Sequence, residues 1–257
     1  MILTPENYYS KEASMEYMDA TQFKKFAKCE AAALAEIRGE YSEEMTTSLL
    51  VGSYVDAYFD GQLDLFKAKH PEIFTKQGTL KSDFKQAEYI IQRIEKDEYF
   101  MWALSGERQA IVSGEIAGVP FRGKMDFLHP GEAIVDLKIM RDFQPQWIQN
   151  VGKVPYWVAW GYHIQGAIYQ CLEGNHLPFL IAAASKEKET DIEVRQISQE
   201  NLDSALKYVK RFAPHYNDLK HGTGTPWRCE QCNYCRKTRK LNSPVCDENV
   251  YEYVPIR

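Results

Sequence analysis

Three charged residues set into otherwise apolar stretches carry the strongest chemical signal in this chain of 257 residues. Asp136 and Lys138 stand within Ala133–Ile139, Ala-Ile-Val-Asp-Leu-Lys-Ile, and Asp126 precedes them. Such an apolar run reads as a buried strand, where an unpaired charge is costly. Two residues apart on a strand, Asp136 and Lys138 project from one face. A neighbouring strand bearing Asp126 would bring a second carboxylate beside the first. Converging carboxylates repel unless a cation lies between them, and hard oxygen ligands suit Mg²⁺ or Mn²⁺. An ammonium beside that cation can orient or polarise a water for attack on a phosphodiester. The plainer alternative is a salt bridge on a wet sheet face.

The elements that must position these groups follow from pattern. Glu107 to Lys138 predicts three short strands, Ile111–Ile116, Phe121–Leu128 and Ala133–Ile139. Gly118, Pro120 and the turn His129-Pro130-Gly131-Glu132 separate them. Glu107 and Glu115 flank the first strand and are expected on the surface. Upstream, Asp19 or Thr21 caps a helix expected to run to Arg38 and end at Gly39, with Cys29 on it. Thr46–Phe59 reads as a second helix. Gly52 inside it costs roughly 1 kcal/mol relative to alanine, which predicts close approach to another backbone. Asp56, four residues on, shares its face. Phe66–Phe74 reads as a loop or short helix around Pro71, and Ser82–Phe100 as one amphipathic helix capped by Ser82.

Beyond Lys138, a turn-rich connection over Ile139–Trp147 leads to a long helix, Tyr156–Leu172. Tyr162, Gln165 and Tyr169 share a face of it. Pro178–Ser185 is a further apolar strand, Ile192–Ile197 an edge strand, and Gln199–Phe212 a last helix capped by Ser198. This order predicts an α/β fold with a mixed central sheet flanked by helices.

Gly123-Lys124-Met125-Asp126 followed by Val135-Asp136-Leu137-Lys138 resembles the PD-(D/E)xK nuclease motif, with its restriction-endonuclease-like core. Val51-Gly52-Ser53-Tyr54-Val55-Asp56 resembles the first motif of the RecB-like branch. Gln165-Gly166-Ala167-Ile168-Tyr169 resembles that branch's helical Q-x-x-x-Y motif. Together, in this order, they resemble a RecB-like exonuclease of the phage recombination type, the branch of the RecE-like exonucleases.

The resemblance implies a Mg²⁺- or Mn²⁺-dependent exodeoxyribonuclease acting on DNA in phage or bacterial recombination or repair, with a single-strand annealing protein as a partner. It implies Asp126, Asp136 and the backbone carbonyl of Leu137 as metal ligands, Lys138 as the catalytic lysine, and Gln165 and Tyr169 in support of the site. Asp56 stands where the family usually has a metal-ligating histidine. An aspartate can take the same role; a solvent-facing acid is the alternative. Two rival functions remain, a catalytically inactive DNA-binding module and a metal-stapled protein that docks a partner of the recombination machinery.

Six cysteines make a second constellation. Cys229, Cys232 and Cys235 form two overlapping C-x₂-C steps, and Cys246 follows beyond Pro244. In a cytoplasmic chain such spacing points to metal rather than disulfides. All four tail cysteines around one Zn²⁺ is one reading. Three of them with Cys29 around a [4Fe–4S] cluster is another. The second resembles the iron–sulfur RecB-like nucleases, which pair one cysteine before the core with three after it. The tail departs from their common C-x₂-C-x₅-C ending. Free thiols are the third alternative, and Cys171 is expected in the core.

The chain is 44% hydrophobic and 26% charged with a net charge of −5, which argues against a protein that coats nucleic acid but not against a nuclease. Arg228, Arg236, Lys237, Arg239 and Lys240 form a candidate patch for backbone phosphates. No run approaches the ~20 apolar residues of a membrane span. The opening residues lack a signal-peptide pattern, so no membrane partner and a cytoplasmic location are expected. The expected organisation is one nuclease domain over 1–257, with helices over 15–60, a catalytic core over 105–212 and a cysteine-rich tail over 226–250.

Overall fold

Five strands build one sheet, and each of its faces meets a separate layer of helices. The structure, a computed structural model, describes residues 1–149, 151–241 and 243–244. The strands are β1 (Glu107–Ile116), β2 (Val119–His129), β3 (Ala133–Met140), β6 (Phe179–Ser185) and β7 (Ile192–Gln196), in the spatial order β1-β2-β3-β6-β7. Only β3 and β6 pair in parallel; the other neighbours are antiparallel. A two-stranded hairpin, β4 (Gln146–Ile148) with β5 (Gly152–Val154), stands apart. The sheet is therefore mixed, as expected. Wholly buried β6, Phe-Leu-Ile-Ala-Ala-Ala-Ser, is the continuous apolar run that a central parallel strand requires.

The helices are α1 (Lys11–Glu16), α2 (Ala20–Lys28), α3 (Glu30–Arg38), α4 (Thr47–Phe59), α5 (Leu63–Lys69), α6 (Ser82–Glu95), α7 (Glu98–Ala103), α8 (Tyr156–Ala159), α9 (Tyr162–Glu173), α10 (Gln199–Lys220) and α11 (Asn233–Lys237). On one face Phe121, Met125, Ile134, Ile181 and Ala183 pack with Phe23 and Phe26 of α2, Ile168 of α9 and Val209 of α10. On the other, Phe127, Val135, Leu137, Leu180 and Ala182 pack with Tyr54 and Val55 of α4 and Phe84 and Ile91 of α6. The alternation Ile134, Val135, Leu137 along β3 thus feeds two cores, and the even positions Asp136 and Lys138 fall on the α2/α9 side.

Several predicted helices are divided. The one expected to run to Arg38 breaks at Cys29, whose extended backbone ends α2 and starts α3. Ser82–Phe100 is α6 and α7, parted where the Asp97 side chain accepts the Phe100 N–H and caps a new helix; Lys81, not Ser82, occupies the N-cap of α6. Tyr156–Leu172 is α8 and α9, interrupted at Gly161 with φ of 65°, a conformation that glycine adopts at little cost. Conversely α10 continues past Phe212 through Pro214 to Lys220. Buried Ala213, Tyr216 and Leu219 hold this extension against the core, enough to carry the helix across the lost backbone hydrogen bond. The Phe66–Phe74 segment is the end of α5 and a 3₁₀ turn over Pro71–Ile73.

Candidate active site

The site lies where the sheet comes apart. Strands β2 and β3 pair over only three positions, Phe127 with Val135, Leu128 with Ile134 and His129 with Ala133, and diverge beyond them. A strand that loses its partner leaves backbone groups to satisfy. Here the Leu137 N–H donates to Asp126 Oδ2 at 3.0 Å, so the Asp126 side chain replaces the missing strand. The Leu137 carbonyl accepts from Lys138 Nζ at 3.2 Å. The β1–β2 ladder is also interrupted opposite Asp126: Arg108 pairs with Phe127 and Ala110 with Met125, while Gln109 takes a left-handed φ of 55°.

Inside this fork the three predicted charges meet. Lys138 Nζ is 2.5 Å from Asp136 Oδ2 and 4.0 Å from Asp126 Oδ2. Asp136 is fully buried. Its Oδ1 accepts from Gln165 Nε2 at 2.7 Å. Its Oδ2 has a charge contact with Lys138 but no well-directed hydrogen bond. Gln165 also donates to the Tyr169 hydroxyl at 3.2 Å, and that hydroxyl donates to the Lys124 carbonyl on β2 at 2.9 Å. The Gln165–Tyr169 spacing on α9 therefore ties the helix to Asp136 on β3 and to β2 together. Gly123 makes this possible: a Cβ there would come within 3.0 Å of the Tyr169 ring.

Burial and the crowding of like charges dominate the electrostatics of the site. Burial, then the neighbouring Asp136, raises the Asp126 carboxyl well above the usual aspartate range, Lys138 acting the other way. For Lys138 burial opposes the charge, but Asp136 and Asp126 outweigh it and lift the ammonium above its ordinary value. Burial, then Asp136 and Asp126, also raises the Tyr169 hydroxyl. Asp56 on α4 lines one depression with Asp126 and Leu137 and a second with Lys138. Its side chain opens onto solvent in that cleft. Enclosure by the cleft walls raises its carboxyl, with Lys138 opposing and Asp60 and Asp136 adding to it.

One cation in the site was not legible in the sequence. Lys24 of α2 donates to Gln165 Oε1 at 3.4 Å and lies 5.6 Å above the Tyr162 ring, which Lys138 approaches at 5.5 Å. Burial, with Lys138 nearby, lowers Lys24 to about 8, Asp136 opposing. The break at Gly161 leaves room for it, since a Cβ there would stand 2.9 Å from Lys24 Cδ. Lys24, Lys25 and Lys28 follow one another on a single helix, and nothing in their spacing separates the inward one from its neighbours.

Other expectations divide. Glu107 and Glu115 are exposed and take no part in the site. Gly52 does not meet another backbone: a Cβ there would find nothing within 4 Å. The position instead lines an open depression with Ser48, Lys138, Trp160 and Lys186. In the basic tail segment Arg228 and Arg239 pair with Glu230 at 3.2 and 3.5 Å, and Arg228 also donates to the Cys235 carbonyl. Arg236, Lys237 and Lys240 are exposed and, among the described residues, make no ion pair.

The cysteines converge at the other end of α2. Sulfurs of Cys29, Cys229, Cys232 and Cys235 all lie within 4.8 Å of one another. Cys171 packs against the main core instead, and Cys246 lies outside the described residues.

Buried Asp136 and half-buried Asp126 beside Lys138, with a carbonyl at a strand fork of a mixed α/β sheet, are the arrangement of a PDDEXK-like domain. The chain matches the PDDEXK-like domain of unknown function (DUF3799) over residues 19–238 and belongs to that family. Among solved structures it is similar to a "putative exonuclease" from Eubacterium rectale, at 46% identity and a TM-score of 0.91, over 96% of this chain and 97% of that one. No curated protein matches it.

Proposed function

We propose that this nuclease is a Mg²⁺- or Mn²⁺-dependent exodeoxyribonuclease of the RecB-like, RecE-type branch, working on DNA in the cytoplasm during phage or bacterial recombination. The observation that carries the reading is the meeting of Asp126, Asp136 and Lys138 in the fork between β2 and β3. The exonuclease assignment draws on the name of the Eubacterium rectale neighbour. A single-strand annealing protein is the partner such a role calls for.

The residues fit a hard divalent cation. Asp136 Oδ2 is buried without a directed hydrogen bond, and burial and the like charge of Asp136 raise the Asp126 carboxyl. Asp126, Asp136 and the Leu137 carbonyl would hold the cation, with Asp56 as a further ligand from α4. Once bound, it would neutralise phosphodiester charge and lower the pKa of an attacking water. Gln165, by donating to Asp136 Oδ1, fixes that carboxylate so that Oδ2 faces Lys138. Lys138 stays protonated between two carboxylates, so it acts as a donor and not as a base. It holds the attacking water and offsets the charge that develops on the phosphate. Tyr169 fixes Gln165 from the far side. Lys24 presents a second ammonium beside Gln165, suited to a phosphate oxygen of the strand being cut.

The test is digestion of end-labelled linear duplex beside a closed circle of the same sequence, with Mg²⁺ or Mn²⁺. Loss of the linear form alone supports an exonuclease. Cutting of the circle would make the enzyme an endonuclease, and no cutting of either would return the reading to a binding module.

A further inference from the structure

The four converging thiols span nearly the whole chain. Cys29 Sγ is 3.6 Å from Cys235 Sγ, and Cys229 Sγ is 4.0 Å from Cys235 Sγ. No pair among the four exceeds 4.8 Å. Four sulfurs around one tetrahedral ion with Zn–S of about 2.3 Å stand about 3.8 Å apart. A [4Fe–4S] cubane ligates each thiolate at its own corner, so its sulfurs are held further apart than sulfurs that share an ion. The observed set matches the first arrangement and is too tight for the second.

The backbone agrees with that choice. Cys229 N–H points at Cys29 Sγ at 3.5 Å, Cys232 N–H at Cys229 Sγ at 3.3 Å, and Cys235 N–H at Cys232 Sγ at 3.4 Å. Three of the four sulfurs thus accept a main-chain N–H, which holds them turned toward one another. Cys29 and Cys235 are buried. The second reason is mechanical. Cys29 sits at the break between α2 and α3 with an extended backbone, and that break is what aims its sulfur at the tail. The Trp227 carbonyl accepts the Ala31 N–H, and the Trp227 N–H donates to Glu30, so the tail docks on the same junction.

We infer that Cys29, Cys229, Cys232 and Cys235 bind a single tetrahedral Zn²⁺ that staples the tail to the α2–α3 junction, in place of an iron–sulfur cluster. Of the readings open in the sequence, this one joins the zinc of the first to the ligand set of the second, Cys29 with three tail cysteines. The ion does no chemistry on a substrate. It constrains the end of α2, the helix that carries Lys24. The inference is independent of the nuclease reading, and its test reads metal and fold, not cleavage.

The full chain is purified without oxygen, its metals and acid-labile sulfide are counted, and any metal-free fraction is then supplied with Zn²⁺. One zinc per chain, no labile sulfide and a colourless solution are expected. Replacement by Co²⁺ should give the intense visible bands of a tetrahedral cobalt thiolate. Cys29→Ser should lose the ion, whereas Cys171→Ser and Cys246→Ser should keep it. Chelation of the wild-type chain, which needs no variant to fold, should lower its Tm. Four irons with labile sulfide per chain would overturn the inference, as would thiols that stay freely reactive in excess Zn²⁺. Loss of zinc from Cys246→Ser with retention in Cys29→Ser would overturn the ligand set.

Discussion

Asp126 Oδ2 takes the Leu137 N–H at 3.0 Å, where an intact β2–β3 ladder would have placed a backbone carbonyl. The same divergence that exposes β3's backbone brings the second carboxylate to Asp136 and Lys138. Site and sheet defect are one feature.

That proximity has a stability cost that depends on pH. The Asp126 carboxyl is raised by burial and by Asp136, so without a cation the folded chain holds a proton there more tightly than the unfolded chain. The group's contribution to stability is present below the unfolded aspartate value and lost as pH rises through the folded one. Asp126→Asn should therefore raise the metal-free Tm near pH 8, with a rise of about 2–4 °C for each 1 kcal/mol relieved. Mg²⁺ or Mn²⁺ should raise the wild-type Tm and leave the variant's nearly unchanged. Thermal melts with and without metal check both, and a variant less stable than wild type at pH 8 would contradict the account.

Lys24 faces the site without touching either carboxylate in a resolved hydrogen bond. Lys24→Met should raise KM for DNA with kcat little altered. The slope of log affinity against log salt should shrink by about one, as for the loss of one phosphate contact. An unchanged salt slope would remove Lys24 from the DNA path.

The Tyr169 hydroxyl is buried and joins Gln165 to the Lys124 carbonyl. Tyr169→Phe leaves that carbonyl without its donor and should cost about 1–3 kcal/mol, read by urea unfolding. Gln165→Ala should reduce kcat more than it reduces stability, because it frees the Asp136 carboxylate to turn.

At Gly52 a Cβ meets nothing. Gly52→Ala in α4 should stabilise the fold by about 0.5–1 kcal/mol. If activity falls while stability rises, the open depression beside Lys138 serves the substrate.

The strands and their charges were readable because a buried strand tolerates Asp136 and Lys138 only for a reason. The pairing of Gln165 with Tyr169 was readable from helical spacing. What could not be read was local termination. Cys29, Asp97 and Gly161 break helices whose apolar periodicity runs on unbroken, and the breaks coincide with a cysteine cluster, a side-chain cap and a left-handed glycine. Lys24 was hidden for the same reason, since its inward path exists only because α9 begins after Gly161. Gly52 misled because a glycine in a helix signals empty space as readily as close packing.

The central claim is that the charges in the fork cut a phosphodiester. It is tested most directly by single-turnover digestion of end-labelled linear DNA by wild type, Asp136→Ala and Lys138→Ala, in Mg²⁺ or Mn²⁺, with each variant's fold checked by circular dichroism. The account predicts metal-dependent cleavage by wild type and a loss of at least ~10²-fold in rate in each folded variant. Cleavage at the wild-type rate by either folded variant would contradict it.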